Sequence, residues 1–184
     1  MIVENKEIWI KTGYDLLANS EEKGLKIEAL ARKVGISKSS FYHRFADLEV
    51  FINFLLKYHL EQTHIIAEKE KNCKTIDPDL INILLEHKTD ILFNRYLRIN
   101  RDKKIFDDVV VKSNQIVGNY FVLIWVHDLK LNLTPNQLQG IFELALENFY
   151  LKINAEIFNK KWLSDYFNDL KKVIENFRIS VKNS

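Results

Sequence analysis

Cysteine, proline and glycine are all scarce in this chain: one, two and five of its 184 residues respectively. The lone thiol, Cys73, excludes an intramolecular disulfide and any cysteine-rich metal centre, and it suits a reducing compartment. Sheet architectures need a turn signal about every 8–12 residues, which so few breakers do not supply. Long apolar runs are missing too. The longest, "YFVLIWV" at 120 to 126, falls far short of the roughly 20 residues that cross a bilayer. The opening "MIVENKEIWI" has no basic region followed by an apolar stretch, so no secretory signal is read. Catalytic patterns are equally sparse: there is no Gly-rich phosphate loop, no His-Glu-x-x-His and no nucleophile elbow. One Glu-x-x-His, Glu61 to His64, is half of what a carboxylate-bridged di-iron bundle requires. His43, His59, His87 and His127 are scattered singly and read as hydrogen-bonded structure. The expectation is a cytoplasmic, unprocessed, non-enzymatic protein with no metal, no cofactor and no membrane partner.

What is present is helical periodicity. Residues 4 to 20 carry Ile8, Thr12, Leu16 and Leu17 as one stripe, closed by Gly24. "IEALARKV" at 27 to 34 sets Ile27, Leu30, Ala31 and Val34 at i, i+3, i+4 and i+7, with Gly35 as its stop. Ser37 then caps a third helix, Lys38 to Phe45, whose Phe41 and Phe45 point inward. Two short helices joined by a glycine-containing turn form a helix-turn-helix pattern. Asp47 caps a long fourth helix to about Lys71. Asp77-Pro78 and Thr134-Pro135 read as helix starts, with helices expected over 78–94 and 135–158. Another helix spans "IFDDVVVKSNQIVGNYFVLIWVHDL", and the last covers 162–177. The fold class is all-α.

A net charge of +2 is too small to demand a polyanionic partner, but the charge is unevenly placed. Lys23, Lys26, Arg32, Lys33, Lys38 and Arg44 face one acid, Glu28, between residues 23 and 44. With Phe41 and Phe45 inward, Lys38, Ser39, Ser40, Tyr42 and His43 fall on the outer side of the third helix near its N-terminal end, the part of a recognition helix that reaches base edges. Arg44 and Lys26 lie where phosphates pass, contacts that fix register. Lys26 also breaks a local rule: a cation stands where a capping oxygen belongs, at the positive end of a helix, and an approaching phosphate satisfies both.

Residues 24 to 51, "GLKIEALARKVGISKSSFYHRFADLEVF", resemble the DNA-binding region of the TetR family of bacterial transcriptional regulators. The resemblance rests on Ile27, Leu30-Ala31, Gly35-Ile36-Ser37, Ser39, Phe41-Tyr42, Phe45, Glu49 and Phe51. Lys26 replaces the family's usual threonine, and Leu48 its usual phosphate-contacting lysine. The resemblance implies a homodimer with an N-terminal three-helix DNA-binding domain, 1–47, and a C-terminal helical effector-binding and dimerisation domain, 48–184. It implies a repressor that binds a palindromic double-stranded DNA operator and releases it on binding a small, mostly apolar effector. Phe93, Tyr96, Asn114, Val117, Phe121 and Trp125 are the expected pocket lining, with Asn114 orienting the ligand. The last two helices are apolar over more than one stripe, and Phe142, Leu146, Phe149, Tyr150, Tyr166, Phe167, Leu170, Ile174 and Phe177 are expected at a two-fold interface. The competing reading is a helical small-molecule or protein-binding module without sequence-specific DNA binding.

Overall fold

A computed structural model describes residues 2 to 20, 24 to 129 and 134 to 182; the side chains of 2 to 5, 119, 121, 129 and 174 to 182 lie outside the description. Among the described residues the chain is all-α, with no strand. The helices are α1 (Ile2–Ala18), α2 (Ile27–Val34), α3 (Lys38–Phe45), α4 (Leu48–Glu70), α5 (Ile81–Glu86), α6 (Lys88–Ile99), α7 (Lys104–Leu129), α8 (Pro135–Lys152) and α9 (Lys160–Lys182), with a single turn, Ile76–Leu80, ahead of α5. No single described helix is long and apolar enough to cross a membrane.

The helix ends reflect side-chain and backbone chemistry. Gly35 takes the left-handed conformation (φ 76°, ψ 20°) and donates its N–H to the Ala31 carbonyl, closing α2. Ser37 Oγ accepts the Ser40 N–H at 3.3 Å to open α3. Asp47 Oδ1 accepts the Val50 N–H at 2.8 Å at the head of α4. Thr134 and Gln137 form a reciprocal capping box, with Pro135 in the first turn of α8. Between α3 and α4 the chain reverses sharply at Ala46 (φ 59°, ψ −57°), where the Asp47 N–H reaches the Phe45 carbonyl.

Three expectations need correction. The buried stripe of α1 is Trp9, Tyr14, Leu17 and Ala18, while Ile8 is 45% exposed. The stripe rotates because Gly13 admits the Phe51 ring: a Cβ there would stand 2.7 Å from Phe51 Cε1. The single helix expected over 78–94 is interrupted at His87 (φ −99°, ψ 27°), which separates α5 from α6. Lys88, just past the break, donates to the carbonyls of Ala155 and Phe158 at 2.7 and 3.1 Å, a tertiary tie that no periodicity encodes. The helix expected over 135–158 stops at Lys152: Ile153 is extended and 1% exposed, and Asn154 Oδ1 accepts the N–H groups of Glu156 and Ile157 in a tight turn. Asn159 Oδ1 then caps α9 through the Trp162 N–H.

The chain divides into two compact units, Met1–Ile65 with Thr89–Ile116, and Ile66–Lys88 with Val117–Ser184. In the first, Phe41 lies 5.5 Å from Trp9 and 5.2 Å from both Phe45 and Phe51, and Phe45 and Phe51 are 4.7 Å apart. All four are at most 1% exposed, and each burial is worth about 1.5–3 kcal/mol. This cluster fixes α3 against α1 and α4. The second unit gathers around Phe149, within 6.4 Å of Phe158, Trp162, Tyr166 and Phe167. There the Tyr166 hydroxyl donates to the Ala145 carbonyl at 2.9 Å, joining α9 to α8.

Candidate functional site

Because Phe41 and Phe45 are anchored in the aromatic cluster, α3 has one face left for solvent. Ser39, Tyr42 and His43 occupy it, all exposed, with Tyr42 at 44% and its ring edge against Phe41. Lys38 is exposed but engaged, its ammonium paired with Glu28 of α2 and 5.9 Å from the Tyr42 ring. The pair lowers the Glu28 carboxyl pKa and raises that of the Lys38 ammonium, each through their mutual hydrogen bond first. Both partners are in water, so the pair exchanges readily. Ser40 is half-buried and belongs to the cap, its N–H and Oγ both turned to Ser37.

Arg44 is half-buried, and its Nε is buried with no acceptor among the described residues. Lys26 is exposed at the N-cap of α2 in extended conformation (φ −96°, ψ 121°) and gives the helix no side-chain cap. Leu48 is half-buried. Thus Lys26, Lys38, Ser39, Tyr42 and His43 are all exposed, while Ser40 and Arg44 are half-buried.

The expected pocket residues divide between the two units. Phe93 and Tyr96 are 1% and 5% exposed in the first, where Asn114 accepts from Arg98 Nη2 at 2.5 Å. Val117 and Trp125 lie in the second, Trp125 at 3% exposed, and the Phe121 side chain lies outside the described residues. Of the expected interface residues, Phe142, Phe149, Tyr150 and Phe167 are buried within the second unit and have little area left for a partner. Leu146, Tyr166 and Leu170 are half-buried, and the side chains of Ile174 and Phe177 are outside the description. The apolar side chains that α8 leaves outside are Leu144 and Leu151, 75% and 76% exposed.

Sequence reasoning missed a buried polar chain in the first unit. Asp90, Asn94 and Arg98 repeat every fourth residue along α6, whose other side is apolar and equally buried. Arg98 Nε donates to Asn94 Oδ1 at 2.9 Å, and Asn94 Nδ2 lies 3.1 Å from His59 Nε2. His59 Nδ1 is 2.8 Å from the Tyr14 hydroxyl, which donates to Asp90 Oδ1 at 2.9 Å. A phenol has one proton; since Tyr14 gives it to Asp90, His59 must donate from Nδ1 and accept at Nε2. Every donor in the chain therefore points from the guanidinium of Arg98 toward the carboxyl of Asp90, and the central imidazole is neutral. Burial alone pushes the His59 pKa down to about 3. The sequence signal was the i, i+4, i+8 polar stripe within "DILFNRYLR".

Elsewhere, Glu70 is 3% exposed in the second unit, and its Oε2 has no donor among the described residues. Burial raises its pKa to about 8. Of the Glu-x-x-His pair, Glu61 faces Lys57 at 3.9 Å and His64 is exposed; no three His, Cys, Asp or Glu side chains among the described residues group to hold a metal ion. No protein-family model matches this chain, and no curated protein matches it.

Proposed function

We propose that this protein is a DNA-binding transcriptional regulator, a ligand-responsive repressor that binds a palindromic operator as a homodimer. The observation that carries the reading is the outer face of α3. Two buried phenylalanines hold this short helix from beneath, leaving Ser39, Tyr42 and His43 in solvent beside Lys38. With α2 and the turn at Gly35 to Ser37 it makes a helix-turn-helix, whose second helix enters a major groove while the first crosses the backbone. The uncapped start of α2, with its N–H groups and Lys26, suits a phosphate. Exposed Leu144 and Leu151, seven residues apart on one face of α8, suit contact with a second copy. Dimers of this motif read half-sites one helical turn of DNA, roughly 34 Å, apart.

The test is a gel shift against the DNA upstream of the protein's own coding sequence. Tyr42→Ala combined with Lys38→Ala should weaken binding strongly while leaving helix content intact; unchanged affinity would count against the assignment. Lys26→Ala should lower the salt slope by about 1 if it neutralises one phosphate. A second reading, a helical small-molecule or protein-binding module without sequence-specific DNA affinity, draws on the Lys38–Glu28 pair and the half-buried Arg44. It is favoured if no upstream fragment is retained by the purified protein.

A further inference from the structure

Glu70 is the last residue of α4 and ends a buried stripe with Ile66 and Ala67. Four conditions oppose a charge on it. The side chain is removed from water, and among the described residues no donor reaches its Oε2. It stands at the C-terminal, negative end of a helix. The lysines on either side of it are committed elsewhere: Lys69 reaches Glu86 and His87, and Lys71 pairs with Glu68.

The neighbourhood is acidic as well. Cys73 has its thiol pushed up to about 11, by burial first and then by Asp79 and Glu70. Asp79 itself is satisfied, its Oδ2 accepting the N–H groups of Lys74 and Thr75 at 3.0 and 3.1 Å. Glu70 is therefore an acid of this segment with a buried oxygen, Oε2, that no described donor reaches. Buried polar groups in proteins are nearly always hydrogen-bonded, and a local rule broken with no compensating gain points to a functional position.

We propose that Glu70 anchors a cationic organic ligand, an ammonium or amidinium carried on an apolar body, within the second unit. The inference rests on the effector-binding part of the function proposed above and gives that effector a chemical class. On binding, the carboxyl releases its proton to solvent and the carboxylate accepts a charge-assisted hydrogen bond from the ligand. The cation supplies the donor that the fold withholds, so the ion pair is complete only with ligand present. A neutral hydroxyl on a molecule of the same shape gains only an ordinary hydrogen bond from Glu70, weaker than the charge-assisted one.

The probes are 4-phenylbutylammonium and its neutral counterpart 4-phenylbutanol, titrated calorimetrically into the full chain at pH 7 in two buffers of different ionisation enthalpy. The ammonium is expected to bind at least about tenfold more tightly than the alcohol, the factor a charge-assisted hydrogen bond supplies, and to release a proton. Glu70→Gln, nearly isosteric and checked for fold by circular dichroism, should level the two probes without weakening the alcohol. Glu70→Asp should keep a reduced preference. Equal affinities in the wild type, binding of neither probe, or a preference that survives Glu70→Gln would each overturn the proposal. A parallel gel shift separates the two readings. Intact DNA binding without cation preference removes the ligand assignment alone, and cation preference without DNA binding removes the regulator alone.

Discussion

Two titratable side chains on the inward side of α4 meet opposite conditions. His59, in the first unit, is 2% exposed with both ring nitrogens hydrogen-bonded; Glu70, in the second, is 3% exposed with an oxygen that no described donor reaches. Burial disfavours charge on both, so it lowers the base to about 3 and raises the acid to about 8. Hydrogen-bond partners set the role of each. A buried group whose protons and lone pairs are all used pins helices together, as His59 does for α1, α4 and α6. One left open holds a penalty that an outside ligand can relieve.

The comparison breaks most visibly at His59. His59→Ala removes the donor to Tyr14 and the acceptor of Asn94 and leaves a cavity, and should cost about 3–5 kcal/mol in urea unfolding. A loss below about 1 kcal/mol would mean that the buried polar chain carries no stability.

Glu70→Gln should act in the opposite sense, stabilising the protein by roughly 2–4 kcal/mol at pH 9 and by almost nothing at pH 4. The proton count gives the sign. Glu70 rises from 4.5 to about 8 on folding, so the stability of its protonated form is complete below 4.5 and is lost as pH climbs to 8. His59 falls from 6.5 to about 3, so its neutral form contributes fully above 6.5 and is lost as pH drops toward 3. Between 4.5 and 6.5 the two slopes oppose one another, and these groups give a flat profile. Removing Glu70 should unmask a rise of about 1.4 kcal/mol per pH unit in that window, measured as the urea midpoint against pH.

A smaller contrast sets glycines of the two units side by side. Gly13→Ala drives a methyl into the fully buried Phe51 ring, and overpacking should outweigh the better helix propensity for a net loss of about 1–2 kcal/mol. Gly140→Ala meets nothing within 4 Å and should gain about 0.5–1 kcal/mol. Thermal melts of the two variants should move in opposite directions. Similar in size, Thr134→Ala removes half of the α8 capping box and should cost about 1 kcal/mol, read by the same melts.

Local order was legible in the residues. The bounds of α2 and α3, the caps at Ser37, Asp47 and Thr134, and the inward turn of Phe41 and Phe45 all rest on contacts within a few positions, where propensity and periodicity act. Breaks caused by distant partners were not legible. Lys88 reaching Ala155 and Phe158 accompanies the separation of α5 from α6, and Gly13 meeting Phe51 rotates the stripe of α1. At the candidate site, Tyr42 and His43 stand outside as expected, whereas the side-chain contact of Lys38 with Glu28 depends on how α2 and α3 pack.

The sequence alone determined that the chain is helical, where its short helices start and stop, and which aromatic side chains hold α3, because these depend on spacing and on neighbours in the chain. Only the tertiary structure decided which polar residues find partners in the interior. His59 is satisfied by groups 35 and 45 positions away while Glu70 Oε2 is reached by no described donor, and nothing near either residue in the chain encodes that difference.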